Sequence, residues 1–269
     1  MNKSENICLK DIQNQNDNRG ISIQKVGVND VEVPLIIQRK NADNQAVSAK
    51  ARMSVSLPDK YRGTHMSRFM EVLSSYKIKN LLGIDIKGFL TDIQKKLHAQ
   101  KAHVKFAFKY FIDKKSPISK LKFPMGYDCS FEGNLSDDNY QFILGAKIPL
   151  TTLCPCSKEI SVSSAHNQRA LVKIKISYDE NEHIWLEDLI DMVESCGSCP
   201  VYPILKRSDE KFVTETAYAN PKFVEDVLRD IIGILRKDKR INFFEVEIEA
   251  FESIHNHNAW AWQSEVKNN

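Results

Sequence analysis

The chain has 269 residues, 42% hydrophobic and 27% charged, enough to bury a core in one large or two ordinary domains. Its 38 Lys and Arg against 35 Asp and Glu leave a net charge of +3, which excludes a globally basic nucleic-acid binder and requires any polyanion to meet a local cluster. No stretch approaches the roughly 18 apolar residues of a membrane helix, and MNKSENICLKDIQNQNDNRG at the start lacks the apolar core of a signal peptide, so a cytoplasmic protein is expected.

The Asn, Gln and Asp-rich residues 1–20 offer too little apolar surface to offset ordering entropy and read as a mobile arm, with folded structure expected from near Val31. From Val47 to Leu57 the odd positions are apolar, the period of a half-buried strand. Two helical patterns follow, one on Met66, Phe69, Met70 and Leu73 and one on Phe89, Leu90, Ile93 and Leu97. VKFAFKYFI and NYQFILGAKIPL then read as strands.

Beyond residue 151 the order repeats loosely, without repetition at the level of letters. A strand carries Val172, Ile174, Ile176 and Tyr178, and a helix carries Leu186, Leu189, Ile190 and Val193. A longer helix is expected to start with Asn220 as cap and Pro221 in the first turn, with Phe223, Val227, Leu228, Ile231 and Leu235 as its apolar stripe. A last strand alternates Phe244, Val246, Ile248 and Ala250 with three glutamates and ends in ESIHNHNAW. Strands in runs separated by helices imply an α+β protein with antiparallel sheet and helices on one face.

The segment TTLCPCSKEISVSSAHNQRA places Cys154 and Cys156 one residue apart and His166 shortly after. In a reducing compartment such cysteines point to metal binding or catalysis before disulfides. A thiolate and an imidazole suit a divalent ion, and an open catalytic site needs about three protein donors. Two other readings stand beside it: a packed pair of thiols, and a closed structural zinc site joining CPC to Cys196 and Cys199 of CGSC. LKRSDEKFVTETAY, crowded with Lys206, Arg207, Asp209, Glu210 and Lys211, reads as a loop. His98, His103 and His183 are expected at the surface.

In order along the chain, RGTHMSRF, CPCSKEIS, AHNQRA, LKRSDEKFVTE, NPKFVEDVLRD and FESIHNHNA resemble the motif series of GTP cyclohydrolase I type B, over about residues 20 to 265. The resemblance implies a bimodular tunnelling fold assembled as a homotetramer with sites at subunit interfaces: residues 21–150 as the first module, and 151–269 as the second, with the metal site. It also implies conversion of GTP to 7,8-dihydroneopterin triphosphate with release of formate, the first step of folate and pterin biosynthesis.

By the same resemblance, Cys154, His166 and Glu210 are the expected donors to one divalent metal, zinc, manganese or ferrous iron, with Cys154 and His166 also catalytic. His255 is expected to transfer protons, with His257 as a weaker candidate. Glu225 is expected to accept from the ring N–H and 2-amino group of guanine. Lys206, Arg207 and Arg169 are candidates for the triphosphate, and Arg62 and His65 for further phosphate contacts. Cys156 receives no ligand role, because Pro155 leaves its direction open.

Overall fold

The computed structural model describes residues 11–76, 83–137 and 139–267. The elements run β1 (Ile23–Ile37), β2 (Gln45–Leu57), α1 (Met66–Ser75), α2 (Gly83–Leu97), β3 (Lys101–Lys115), β4 (Lys122–Ser136), β5 (Asn139–Leu153), α3 (Pro155–Ile160) and β6 (Asn167–Tyr178). They continue with α4 (Leu186–Ser195), β7 (Cys199–Pro200), α5 (Arg207–Ala219), α6 (Val224–Lys237), β8 (Ile241–Ala250) and β9 (Ala259–Val266). All described strands join one antiparallel sheet in the order β1-β2-β3-β4-β5-β6-β8-β9, with the short β7 pairing the end of β5. Setting aside the short α3 between β5 and β6 and the two-residue β7, the order of two strands, helices and two strands occurs twice, and the expected boundary after residue 150 falls inside β5.

Alternation decides which face is covered. On β2 the side chains of Ala49, Ala51, Met53 and Val55 are buried, as are Val104, Phe106 and Phe108 on β3 and Val172, Ile174 and Ile176 on β6. They form one core with Phe69, Leu90 and Ile93 of the first helix pair and Ile190, Val193, Ile231 and Leu235 of later helices. Close approach is built into this packing at Gly133 on β4, where a Cβ would sit 2.5 Å from the Ile86 side chain of α2. The opposite face is polar: Lys173 pairs with Glu247 at 2.6 Å and Lys175 with Glu245 at 2.7 Å, each directly across the β6–β8 register.

Several expectations change. Residues 13–17 of the proposed arm are tied to residues 60–63 by backbone hydrogen bonds, including Arg62 N to Gln15 O at 3.0 Å and Gly63 N to Gln13 O at 3.1 Å. Backbone pairing there supplies what apolar burial does not; residues 1–10 lie outside the described residues. β1 escapes the alternation test because Asn29 and Asp30 break its apolar pattern at a register shift, and β4 because Pro124 and Gly126 interrupt its start and Gly133 stands at an inward position. Most of the segment read as a loop, 205–218, belongs to α5. Asn220 closes α5, its amide donating to Thr216 O at 3.1 Å, while α6 starts at Val224 with Asp226 accepting from the Phe223 amide at 3.0 Å. His103 is buried, 7% exposed, because its ring donates to Glu132 at 2.8 Å on the polar face.

Candidate active site

The end of β5 turns directly into α3. Pro155 at the first helical position starts the helix, and the Cys154 sulfur accepts from the Ser157 amide at 3.4 Å as its cap. CPC is therefore a helix start and not an extended run, and this leaves Cys156 exposed while Cys154 is half-buried. The chain returns at His166, whose carbonyl accepts from the Cys154 amide at 3.1 Å and whose amide donates to the Ser157 hydroxyl at 3.2 Å. These bonds thus hold the Cys154 and His166 backbones side by side.

Around them lies a cavity of about 310 Å³ lined by Thr152, Cys154, His166, Gln168, Lys222, Phe223, Val224, Glu225, Glu252, His255, His257 and Ala259. That volume lies in the range of roughly 300–1,000 Å³ found for small-molecule sites. Four segments build it: the β5 end, the β6 start, the first turn of α6, and the loop between β8 and β9. Of the residues singled out in the sequence, Cys154, His166, Glu225 and His255 are brought together here, and so is His257. The strand expected to be the last, β8, stops at Ala250 and β9 follows it, and the loop between them stacks the His255 and His257 rings, with centroids 5.1 Å apart and planes 11° from parallel.

Other expected residues stand elsewhere. Glu210 is exposed on the first turn of α5 and does not border the cavity. Lys206 caps that helix, its amide donating to Asp209 at 2.8 Å, and Arg207 is exposed beside it. Arg62 bonds Gln15 at 3.3 Å and His65 pairs with Asp11 at 3.2 Å, both ahead of α1. Arg169 holds Phe251 through its carbonyl at 2.9 Å.

Asp209 is fully buried and accepts from the Ile118 amide at 2.7 Å, the Ser119 amide at 2.8 Å and the Ser119 hydroxyl at 2.6 Å. Burial alone pushes its carboxyl up, but the Ser119, Lys206 and Ile118 hydrogen bonds outweigh that and hold it well below the usual carboxylate range. It pins the start of α5 to the β3–β4 turn.

Sequence reading missed Gln168, Glu252, Lys222 and Phe223 in the wall. Gln168 is legible only as an outward position of a strand, and Glu252 only as a residue just past one. Among the described residues no three His, Cys, Asp or Glu side chains converge closely enough to enclose an ion. The four-thiolate zinc site is therefore absent from the described residues. Cys196 and Cys199 are buried in apolar surroundings, and that burial pushes both thiols up, against thiolate formation. A larger cavity of about 490 Å³ lies on the polar sheet face among Lys50, Lys105, Lys147 and Lys173, but the chemically versatile groups are at the smaller one.

The family model described as "Type I GTP cyclohydrolase folE2" matches residues 9–261. The chain belongs to this family. The GTP cyclohydrolase FolE2 of Geotalea uraniireducens (strain Rf4) is 49% identical over 253 residues, 94% of this chain and 92% of that protein. The FolE2 of Thermosipho africanus (strain TCF52B) is 46% identical over 253 residues, 94% of this chain and 96% of its own length. Among solved structures, uricase from Arthrobacter globiformis superposes with a TM-score of 0.55 at 6% identity, covering 91% of this chain and 93% of that one. Bacillus sp. TB-90 urate oxidase does so with a TM-score of 0.51 at 9% identity, covering 91% and 100%. At such low identity the likeness concerns the fold alone, the α+β tunnelling fold of the uricases. Metal dependence comes with the FolE2 family, and a thiol and an imidazole lining one cavity are chemically suited to a divalent ion.

Proposed function

We infer that this FolE2-family chain converts GTP to 7,8-dihydroneopterin triphosphate with release of formate, the entry step of folate and pterin biosynthesis. The observation that carries the reading is the single cavity into which Cys154, His166, Glu225 and His255 converge from four separate segments, in a chain matched by the family model over nearly its whole length.

In this reading Cys154 and His166 would hold one divalent metal, and Glu210, which does not border the cavity in this structure, would have to move toward them to be its third protein donor. Supporting Glu210, Val213 and Ala217 follow it by three and seven residues on the same face of α5. Those two side chains share an apolar cluster with Leu153 and Ala165, the immediate neighbours of Cys154 and His166. A mixed sulfur, nitrogen and oxygen set is not selective for zinc and admits manganese or ferrous iron. When bound, such an ion polarises water and lowers its pKa toward neutrality for attack at carbon 8 of the guanine imidazole ring.

Glu225 sits in the first turn of α6, where unpaired amides favour a carboxylate, and accepts from the ring N–H and 2-amino group of guanine. Adenine lacks that donor pair and would leave the acceptor unpaired. Phe223, 40% exposed at the cavity wall, offers a ring face to the purine. His255 donates and accepts protons as the imidazole ring opens and the ribose rearranges, work suited to an imidazole near neutral pH. The triphosphate is met by Lys206, Arg207, Arg62 and His65, with Arg169 near the metal donors. Arg62 and His65 stand far from the cavity in the chain and reach it from a neighbouring subunit of a homotetramer built from two-module protomers, 21–150 and 151–269.

The test is turnover of GTP by the purified protein with divalent metal. Formate and, after oxidation, a fluorescent pterin are expected, with both lost in Cys154→Ala and on chelation while the far-ultraviolet circular dichroism is unchanged. Undiminished turnover in Cys154→Ala removes that residue from the mechanism.

A further inference from the structure

Gln168 stands between two groups of the cavity wall. The His166 Nδ1 lies 3.1 Å from Gln168 Oε1, and Gln168 Nε2 donates to Glu252 Oε1 at 3.1 Å. His166 and Glu252 are themselves 3.9 Å apart at their nearest oxygen, too long for a hydrogen bond, so the amide is the link between them. Both partners are largely shielded, with side-chain exposures of 16% for His166 and 12% for Glu252.

The direction of this chain of bonds is fixed by chemistry. A carboxylate only accepts, so the NH2 end of Gln168 must face Glu252. The carbonyl end then faces His166 and also only accepts, so the proton of the neutral imidazole must sit on Nδ1. That leaves the Nε2 lone pair bare. Neutral imidazole otherwise distributes its proton over both nitrogens, and a metal-binding nitrogen must be the unprotonated one.

We propose that Gln168, oriented by Glu252, is a positioning residue that fixes the His166 ring with its proton on Nδ1 and presents Nε2 as the donor to the metal. This rests on the reading of His166 as a metal ligand. The placement is reinforced by the backbone: Gln168 is the second residue of β6, opposite Thr152 in the β5 register, so its side chain rises from the sheet and not from a loop. Outer partners of this kind typically change metal affinity about 10–100-fold.

The test uses the full-length protein. Gln168→Leu keeps approximate size and removes both hydrogen bonds. Its Mn²⁺ or Zn²⁺ dissociation constant, from competition with a chromophoric chelator, is expected to rise about tenfold or more. In the metal-free state, ¹⁵N chemical shifts of the His166 ring should report a proton on Nδ1 in the wild type and a mixture in Gln168→Leu. The double variant Gln168→Glu with Glu252→Gln exchanges the two groups and preserves the polarity, since the carboxylate introduced at position 168 would accept from both neighbours; metal affinity should return to within about threefold of the wild type. Unchanged affinity or an unchanged proton position in Gln168→Leu overturns the proposal. So does failure of the double variant to restore affinity, because packing and not hydrogen-bond direction would then be the cause. His166→Ala separates the two levels: if it leaves metal affinity intact, the metal-site reading itself fails, whereas loss in His166→Ala with no change in Gln168→Leu sinks only the role of Gln168.

Discussion

Single side chains decide what the cavity can do, and Glu225 is the sharpest case. In the proposed function, two charge-assisted hydrogen bonds from guanine to Glu225 would contribute about 1.5–3 kcal/mol each. Glu225→Gln, which replaces one acceptor oxygen by a donor, should therefore lower kcat/KM for GTP by at least about a hundredfold. The helix and its cap at Asp226 remain, so thermal stability should be nearly unchanged. Steady-state kinetics beside a melting curve check both halves of this expectation. A proportional fall in stability would mean that Glu225 acts on the helix dipole instead.

Asp209 acts at the same scale on a different observable. Its folded-state carboxyl lies below the usual carboxylate range because four donors point at it. A depressed folded value means that its contribution to stability is present above the unfolded value and is lost as pH falls through the folded one. Denaturant titrations of the wild type and Asp209→Asn should thus differ most at about pH 7, with the gap narrowing only below about pH 4 and continuing to narrow as pH falls toward the folded value. A gap that stays constant across that window would remove the carboxylate charge from the explanation.

Among the elements, α6 shows how a helix is bound to the sheet. Val224, Val227, Leu228, Ile231 and Leu235 are all buried, one unbroken stripe at helical spacing packed on β8 and β9. Ile231→Ala should cost about 2–5 kcal/mol, read as a shift of the denaturation midpoint. Because the first turn of this helix carries Glu225 and Phe223 forms its cap position, the same truncation should also raise KM for GTP. α5 is held differently, through the Asp209 clamp and the small cluster of Val213 and Ala217 against Leu153 and Ala165.

For the molecule as a whole, the two halves are joined by the continuous β4–β5 pairing and by a buried polar link. Lys114 Nζ lies 2.5 Å from Glu194 Oε1, and Tyr127 donates to the same oxygen at 2.8 Å. Lys114 and Tyr127 belong to strands of the first half and Glu194 to α4 of the second. Burial raises the Glu194 carboxyl and Lys114 pulls it back. Glu194→Ala leaves a shielded ammonium without its partner and should destabilise by about 3–5 kcal/mol. The check is whether both halves melt together in calorimetry; an unaltered midpoint would show that the link contributes nothing net.

The sequence determined, by periodicity alone, that β2, β3, β5, β6 and β8 are half-buried strands and that α1, α2, α4 and α6 lie on the sheet, because burial of one face leaves a regular imprint on the letters. It also marked Cys154, His166, Glu225 and His255, whose motifs survive as short local runs. Where local signals conflict, periodicity fails: β1 and β4 carry turn-formers inside paired strands, α5 is too polar to announce itself, and Asn220 caps the end of one helix and not the start of the next. Only the tertiary structure decided that Gln168, Glu252, Lys222 and Phe223 share a wall with those four residues. Convergence of that kind depends on which strands become neighbours and where each stops, and neither is written in the spacing of residues along one segment.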